Sequence, residues 1–361
     1  MWGGVAGIGH GGGSWLILVA LSVIATLTTA IICLNSSTLG AFTQLIDRPD
    51  LGRKLHGRDT PIVAGLAMMI PALALTIAET LLFHANSFML PVTFAASMVM
   101  AVGVLDDRLD VSPAWRFLAL FFVVYVAFSV EPLFVIRTLN LDLLGNKLSI
   151  PLHSLAGPVT LLMVVGFTNA VNMADGMNGQ LLGSMLIWSM LLLRYVPAAE
   201  TAPIAGLVCC SAAALVFNLR GKVFSGSAGA YAGAVFVGLS AIAIYRETHS
   251  NLAAVTVAIW FWLPVADCLR LMATRMLASR SPFSGDRQHL HHHLLARMSH
   301  ANALTVYLAL LGLPALVTEI NAVAGQLMLG LCAAIYVALV LPRERERGTI
   351  SLTRTAIDAA E

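Results

Sequence analysis

The sequence predicts an all-α polytopic membrane protein of about eleven transmembrane helices, and three observations predict it. The composition is 58% hydrophobic and only 11% charged, with a mean hydropathy of +0.84, whereas soluble domains carry roughly 25% charged residues. The apolar residues gather into eleven runs, each close to the length that crosses a hydrocarbon layer ~30 Å thick. The 21 Lys and Arg residues are sorted between alternate loops. All but Arg137, Lys147, Arg194 and Arg246 follow an odd-numbered run or lie in the C-terminal tail. Since cytoplasmic loops hold the excess of basic residues, the odd loops and the C-terminus are expected in the cytoplasm and the N-terminus outside.

The runs fall near Trp15–Leu34, Pro61–Phe83, Phe88–Leu105, Ala114–Val130, Leu155–Val171, Leu181–Val196, Ala202–Leu219, Ala228–Tyr245, Leu252–Leu271, Leu304–Ile320 and Val323–Leu341. Together they predict one multi-span domain over 1–341, with a cytoplasmic tail over 342–361. Met1 to Ser14 holds no Lys or Arg, so the basic region of a cleaved signal is missing and the first run is expected to be retained. Outward segments are brief except Glu131 to Ser154. There Leu-Gly-Asn-Lys sits between alternating apolar residues and predicts a small extracytoplasmic β-hairpin. Cys33, Cys209, Cys210, Cys268 and Cys332 lie in apolar stretches without CxxC spacing, which predicts buried thiols. No basic run is interleaved with aromatics, which argues against a nucleic-acid partner. A transporter would place its ionisable residues near the bilayer midplane, whereas these gather at one interface.

Every polar cluster with chemical potential falls on the basic side. After the third run, AVGVLDDRLDVSP brings Asp106, Asp107 and Asp110 to the membrane boundary, on one face if the turn stays helical. They would hold a divalent cation, a phosphate through that cation, or basic side chains. Alternatively Asp107 and Asp110 are solvated caps of the helix that Ser112-Pro113 begins. The first loop packs Asp47, Arg53, Lys54, His56 and Arg58 together, to meet anionic headgroups or to hold a phosphate. In GFTNAVNMADGMNGQ, Asn169, Asn172 and Asp175 recur every third residue, more polar side chains than one helix cap needs. Gly176 and Gly179 would let the backbone approach a ligand closely. FNLRGKVFSGSAGAYAG is a glycine-rich entry to a helix, suited either to an anion or to close helix packing. The ninth loop carries Asp286, Arg287, His289, His291, His292 and His293. On a helix, His289 would share a face with His292 and His293 while His291 points elsewhere, a phosphate- or metal-binding face with zinc as the rival ligand.

RKLHGRDTP at Arg53 to Pro61, DDRLDVSP at Asp106 to Pro113, NAVNMADGMNG at Asn169 to Gly179, FNLRGKVFSGSAG at Phe217 to Gly229, and PVADCLR with SPFSGDRQHLHHHLL at Pro264 to Leu295 resemble the polyprenyl-phosphate N-acetylhexosamine-1-phosphate transferases. The bacterial undecaprenyl-phosphate N-acetylglucosamine type is the most similar, by the DRxHLHH form of the ninth loop. The resemblance implies a transfer dependent on Mg²⁺ (or Mn²⁺) at the bacterial inner membrane. Undecaprenyl phosphate would attack a UDP-N-acetylhexosamine, release UMP and start a lipid-linked cell-envelope glycan. It implies catalytic roles for Asp106, Asp107, Asp175 and His292, with Asp106, Asp107 and Asp175 as metal ligands. It also implies substrate binding by Lys54, His56, Asp110, Asn169, Asn172, Asn178, Phe224, Arg287, His289, His291 and His293, with Phe224 facing uracil. A homodimer is compatible with this pattern.

Two departures stand out. The family's Asp in the Gly-Asp-x-Gly stretch, regarded as a magnesium ligand, is Ser227 here, and the second Asp of DGxDG is Asn178. A serine hydroxyl is a poor substitute for an anionic oxygen on Mg²⁺. These changes raise an alternative: a degenerate relative that binds lipid phosphate or nucleotide-sugar without turnover.

Overall fold

The computed structural model describes residues 12–48, 59–83, 87–248, 252–283 and 287–341. The helices run in the order α1 (Gly12–Leu34), α2 (Ser36–Thr43), α3 (Ala64–Phe83), α4 (Met89–Leu109), α5 (Pro113–Val130), α6 (Ala156–Ala174), α7 (Gln180–Leu193), α8 (Thr201–Asn218), α9 (Gly226–Thr248), α10 (Ala254–Leu277), α11 (Leu290–Leu295), α12 (His300–Ile320) and α13 (Ala322–Val340). Among the described residues, ten of these are long and apolar enough to cross a membrane. The eleventh expected span is α7, with 14 residues. At 1.5 Å per residue it reaches only ~21 Å, and its C-terminal end is finished by Tyr195 and Arg194, which bond Glu319 of α12 at 2.7 and 3.0 Å. The chain is therefore an all-α multi-pass membrane protein.

Sequence decides which helix is central. α9 begins GSAGAYAGAVFVG, and 94% of its membrane window is buried within the protein, against 17% for α5 and α13. Small residues make this possible. A Cβ on Gly229 would lie 2.3 Å from the Cα of Gly65 on α3, and one on Gly103 of α4 would lie 2.4 Å from the Cα of Ala228. Three backbones thus meet at the basic end of α9, where the polar motifs are.

The expected hairpin is present as β3 (Thr138–Leu143) and β4 (Asn146–Pro151), antiparallel with Leu143 opposite Asn146. Its two-residue turn, Leu144-Gly145, has φ of 51° and 85°, the doubly positive geometry that suits the twist of a hairpin. Tyr245 of α9 fastens it, accepting from Asn140 N at 2.8 Å and donating to Thr138 O at 2.7 Å. A second pairing, unforeseen from sequence, joins Ile46–Asp47 to Thr60–Pro61 and closes the first loop. The cysteines are all free thiols; Cys33, Cys210, Cys268 and Cys332 are buried as expected, while Cys209 is half-buried.

Candidate active site

The acid pair sits on the last turn of α4, where consecutive residues point about 100° apart around the helix. Asp106 and Asp107 accordingly take different partners. Asp106 Oδ2 accepts from Arg116 Nη1 of α5 at 3.0 Å and from the Tyr231 hydroxyl of α9 at 3.3 Å. Asp107 reaches the start of α9 and accepts from Ser227 N at 2.8 Å through Oδ1 and from Ala228 N at 3.1 Å through Oδ2. Both sequence readings of the glycine-rich loop hold, since its glycines pack helices while its free N–H groups bind an anion. That anion is the chain's own Asp107. Capping is indeed a role of Asp107, but of α9, 120 residues away, and not of the helix that follows.

Asp110 departs from the expected face. α4 ends at Leu109, and Asp110 closes it in the left-handed region with φ of 47°. Its side chain is exposed to solvent.

The histidine loop is organised by Asp267 of α10, a buried carboxylate with four donors. His289 Nδ1 and Leu290 N bond Oδ2 at 2.9 and 3.2 Å, while Arg270 Nη2 and the Tyr336 hydroxyl both bond Oδ1 at 2.8 Å. With Nδ1–H donating, His289 presents Nε2 as an acceptor. His289 is the extended residue before α11, so the helix starts one residue later than the sequence face assumed. The rings that come together are His289, His291 and His292, with centroids 5.6 and 4.1 Å apart in succession. His293 is half-buried outside this row and Arg287 is exposed.

Between the acid pair and the histidine row lies a cavity of about 340 Å³. Among the described residues, its polar lining is Arg116, Asn169, Asn172, Tyr231, Arg275, His289, His291 and His292, with no carboxylate. Asn172 Nδ2 contacts the Tyr231 hydroxyl at 3.4 Å, and Asn169 bonds back to Val165 O. Phe117 and Phe283 form an edge-to-face pair 5.0 Å apart on one wall. Gly176 is required at the floor, because a Cβ there would lie 2.0 Å from His291 Nε2. Its close approach is to the His291 side chain, on the cavity wall.

Asp175 lies just beyond, at the end of α6, in a far smaller cavity of about 10 Å³ shared with Gln180, Ser184 and Tyr307. Burial is the main influence on its carboxyl and pushes it up to about 7, reinforced by the Asp107 charge and opposed by the Leu181 N–H and the Ser225 hydroxyl. His291 moves the other way, to about 3, because burial and the neighbouring His292 and His289 disfavour its cation. It is a neutral ring at physiological pH.

Phe224, expected at the uracil, is half-buried beside Pro61 and Ala64, to which its backbone bonds at 2.8 and 2.9 Å, and it does not line the cavity. Asn178 stands near Gly221, also off the lining. Lys54 and His56 lie outside the described residues, as does Asp286. Arg116, Tyr231, Arg275 and Asp267 were not among the expected site residues. Arg116 and Tyr231 each sit one turn inside a helix that opens at a polar motif, a position that sequence could have flagged.

The three acids expected to bind magnesium do not fit that ion as they stand. Mg²⁺ requires near-octahedral oxygen acceptors, yet Asp106 is met by Arg116 and Tyr231, Asp107 by Ser227 and Ala228, and Asp175 by Leu181 and Ser225. Among the described residues, no group of three or more His, Cys, Asp or Glu is placed to hold a metal.

The family described as "Glycosyl transferase family 4" matches residues 89–245, from α4 to α9. A probable undecaprenyl-phosphate N-acetylglucosaminyl 1-phosphate transferase of Bacillus subtilis is 25% identical over 81% of this chain and 81% of its own. An undecaprenyl-phosphate alpha-N-acetylglucosaminyl 1-phosphate transferase of Yersinia pestis is 29% identical over 69% and 68%. A decaprenyl-phosphate N-acetylglucosaminephosphotransferase of Mycobacterium leprae is 28% identical over 82% and 83%. This chain is thus similar to glycosyl transferase family 4 across its central helices, and to such relatives along most of its length.

Proposed function

We propose that this protein transfers N-acetylglucosamine 1-phosphate, or a closely similar amino-sugar phosphate, from its UDP-sugar to undecaprenyl phosphate. UMP leaves, and the lipid product starts a cell-envelope glycan. The reaction takes place on the cytoplasmic face of a bacterial inner membrane, where the basic loops gather. A phosphate oxygen of the lipid attacks the sugar-bearing phosphorus of the UDP-sugar. One P–O bond forms, the bridging P–O bond breaks, and UMP carries away the electron pair. One anhydride replaces another, so positioning and charge neutralisation are the main demands on the protein.

The observation that carries this reading is the cavity whose polar lining, among the described residues, holds two arginines and three histidines and no carboxylate. Such a lining suits a diphosphate. Arg116 and Arg275 face the phosphates, His292 hydrogen-bonds the sugar phosphate, and His289 Nε2 accepts from a sugar hydroxyl. Asn169 and Asn172 orient the amino sugar, and the Phe117–Phe283 pair offers the apolar wall for uracil or the first isoprene units. Asp106 holds Arg116 in place, and Asp107 fixes the start of α9 behind Tyr231.

The test is UMP release by the purified protein in lipid vesicles. Release that needs both undecaprenyl phosphate and a UDP-amino sugar is the expected result. No UMP across a panel of UDP-amino sugars, from folded protein, overturns the reading. The engagement of all three acids by protein donors favours a second reading, binding without turnover. In that case UDP-sugar binds but UMP appears only after Ser227→Asp with Asn178→Asp.

A further inference from the structure

The acid cluster stands where a phosphate-transfer site ordinarily uses a divalent ion, yet each of its three carboxylates accepts hydrogen bonds from the protein's own donors. Asp107 accepts from two backbone N–H groups at 2.8 and 3.1 Å and also from the Ser227 hydroxyl. Gly226 presses the backbone against it, since a Cβ there would lie 2.7 Å from Asp107 Oδ2. At position 227 an aspartate would confront Asp107 with a second anion, and the two would need a cation between them. A serine turns a donor toward the same carboxylate and removes that need.

The positive charge is supplied instead by α5. Arg116 Nη1 bonds Asp106 Oδ2 at 3.0 Å, its side chain is 25% exposed, and it lines the cavity. A guanidinium has five donors in a planar fork. Bonds to Asp106 and Tyr231 leave part of that fork for a phosphate, in the two-pronged geometry that arginine offers and magnesium does not. Arg275, almost wholly buried with Nη1 on Pro282 O at 2.7 Å, borders the same cavity.

We infer that in this protein Arg116 takes the place of the divalent cation: the acid cluster is closed to Mg²⁺ by its own donors, and the guanidinium neutralises the phosphates. The inference rests on the transferase reading for its catalytic part, but its ion-binding part stands without it. Manganese titration of the purified protein in vesicles, followed by electron paramagnetic resonance, tests the ion-binding part directly. Wild type is expected to bind no Mn²⁺ saturably, and Ser227→Asp to create a site. A saturable site in wild type that Asp107→Asn abolishes overturns the inference whether or not the protein turns over.

UMP release supplies the second readout. It is expected to persist in EDTA, to fall by about 100-fold or more in Arg116→Met, and to recover in part in Arg116→Lys, which keeps the charge and controls for folding. Turnover lost in EDTA and restored by Mg²⁺ overturns the inference while sustaining the transferase reading. A protein without turnover, yet also without a Mn²⁺ site until Ser227→Asp, refutes the transferase reading and leaves the closed cluster established.

Discussion

At the scale of single residues, much depends on which neighbour a polar group finds. Asp106 and Asp107 are adjacent in sequence, and their roles diverge because a helix turns them toward different partners, Arg116 in one case and the N-terminus of α9 in the other. Sequence marked both as important, but a contact with a residue 120 positions on is invisible to local spacing. Asp110 was grouped with them on the premise of a continuing helix, and one left-handed residue undid that. The histidine row was legible as a cluster, although its membership was not, because His289 lies before the helix and Asp267, which orients it, comes from another element.

His291 gives a pH signature. Its neighbours are His289, His292, His293 and the Asp267 carboxylate, and the folded protein holds it neutral down to about pH 3. The unfolded chain protonates it near 6.5, so between these values the unfolded state binds the extra proton and stability falls as pH falls. Thermal unfolding in detergent is expected to lose stability by up to about 1.4 kcal/mol per pH unit from this group below pH 6. In His291→Gln that component of the slope should vanish. An unchanged acid profile would show that His291 is not held neutral.

At the scale of elements, the helices and the hairpin were readable because apolar run length, turn chemistry and basic-residue sorting are local signals. The central place of α9 was less so. It depends on glycines that meet across helices, and a stripe of small residues does not name its partner. Gly229 faces Gly65 so closely that Gly229→Ala should cost about 1–3 kcal/mol through forced separation of α3 and α9. A melting temperature equal to wild type would contradict that packing. The hairpin permits the opposite experiment. Leu144 holds φ of 51° without the glycine or asparagine that favours it, and the left-handed region penalises a branched side chain by roughly 1–2 kcal/mol. Leu144→Asn is expected to raise the unfolding temperature, and a fall would mean that the leucine makes a compensating contact.

At the scale of the whole molecule, the polar motifs within the described residues, from the acid pair to the histidine loop, converge on one end of the bundle. Their shared side was legible in the distribution of Lys and Arg. Their shared cavity was not, since it is enclosed by α5, α6, α9, α10 and the histidine loop, whose arrangement only the packed structure gives. The most direct test compares UMP release by variants at the two ends of the bundle. Asn172→Leu and His292→Leu, inside the cavity, should lower kcat/KM by about 100-fold or more, while Lys147→Gln, on the hairpin, should match wild type. Undiminished turnover in both cavity variants would place the chemistry elsewhere in the protein and contradict the account.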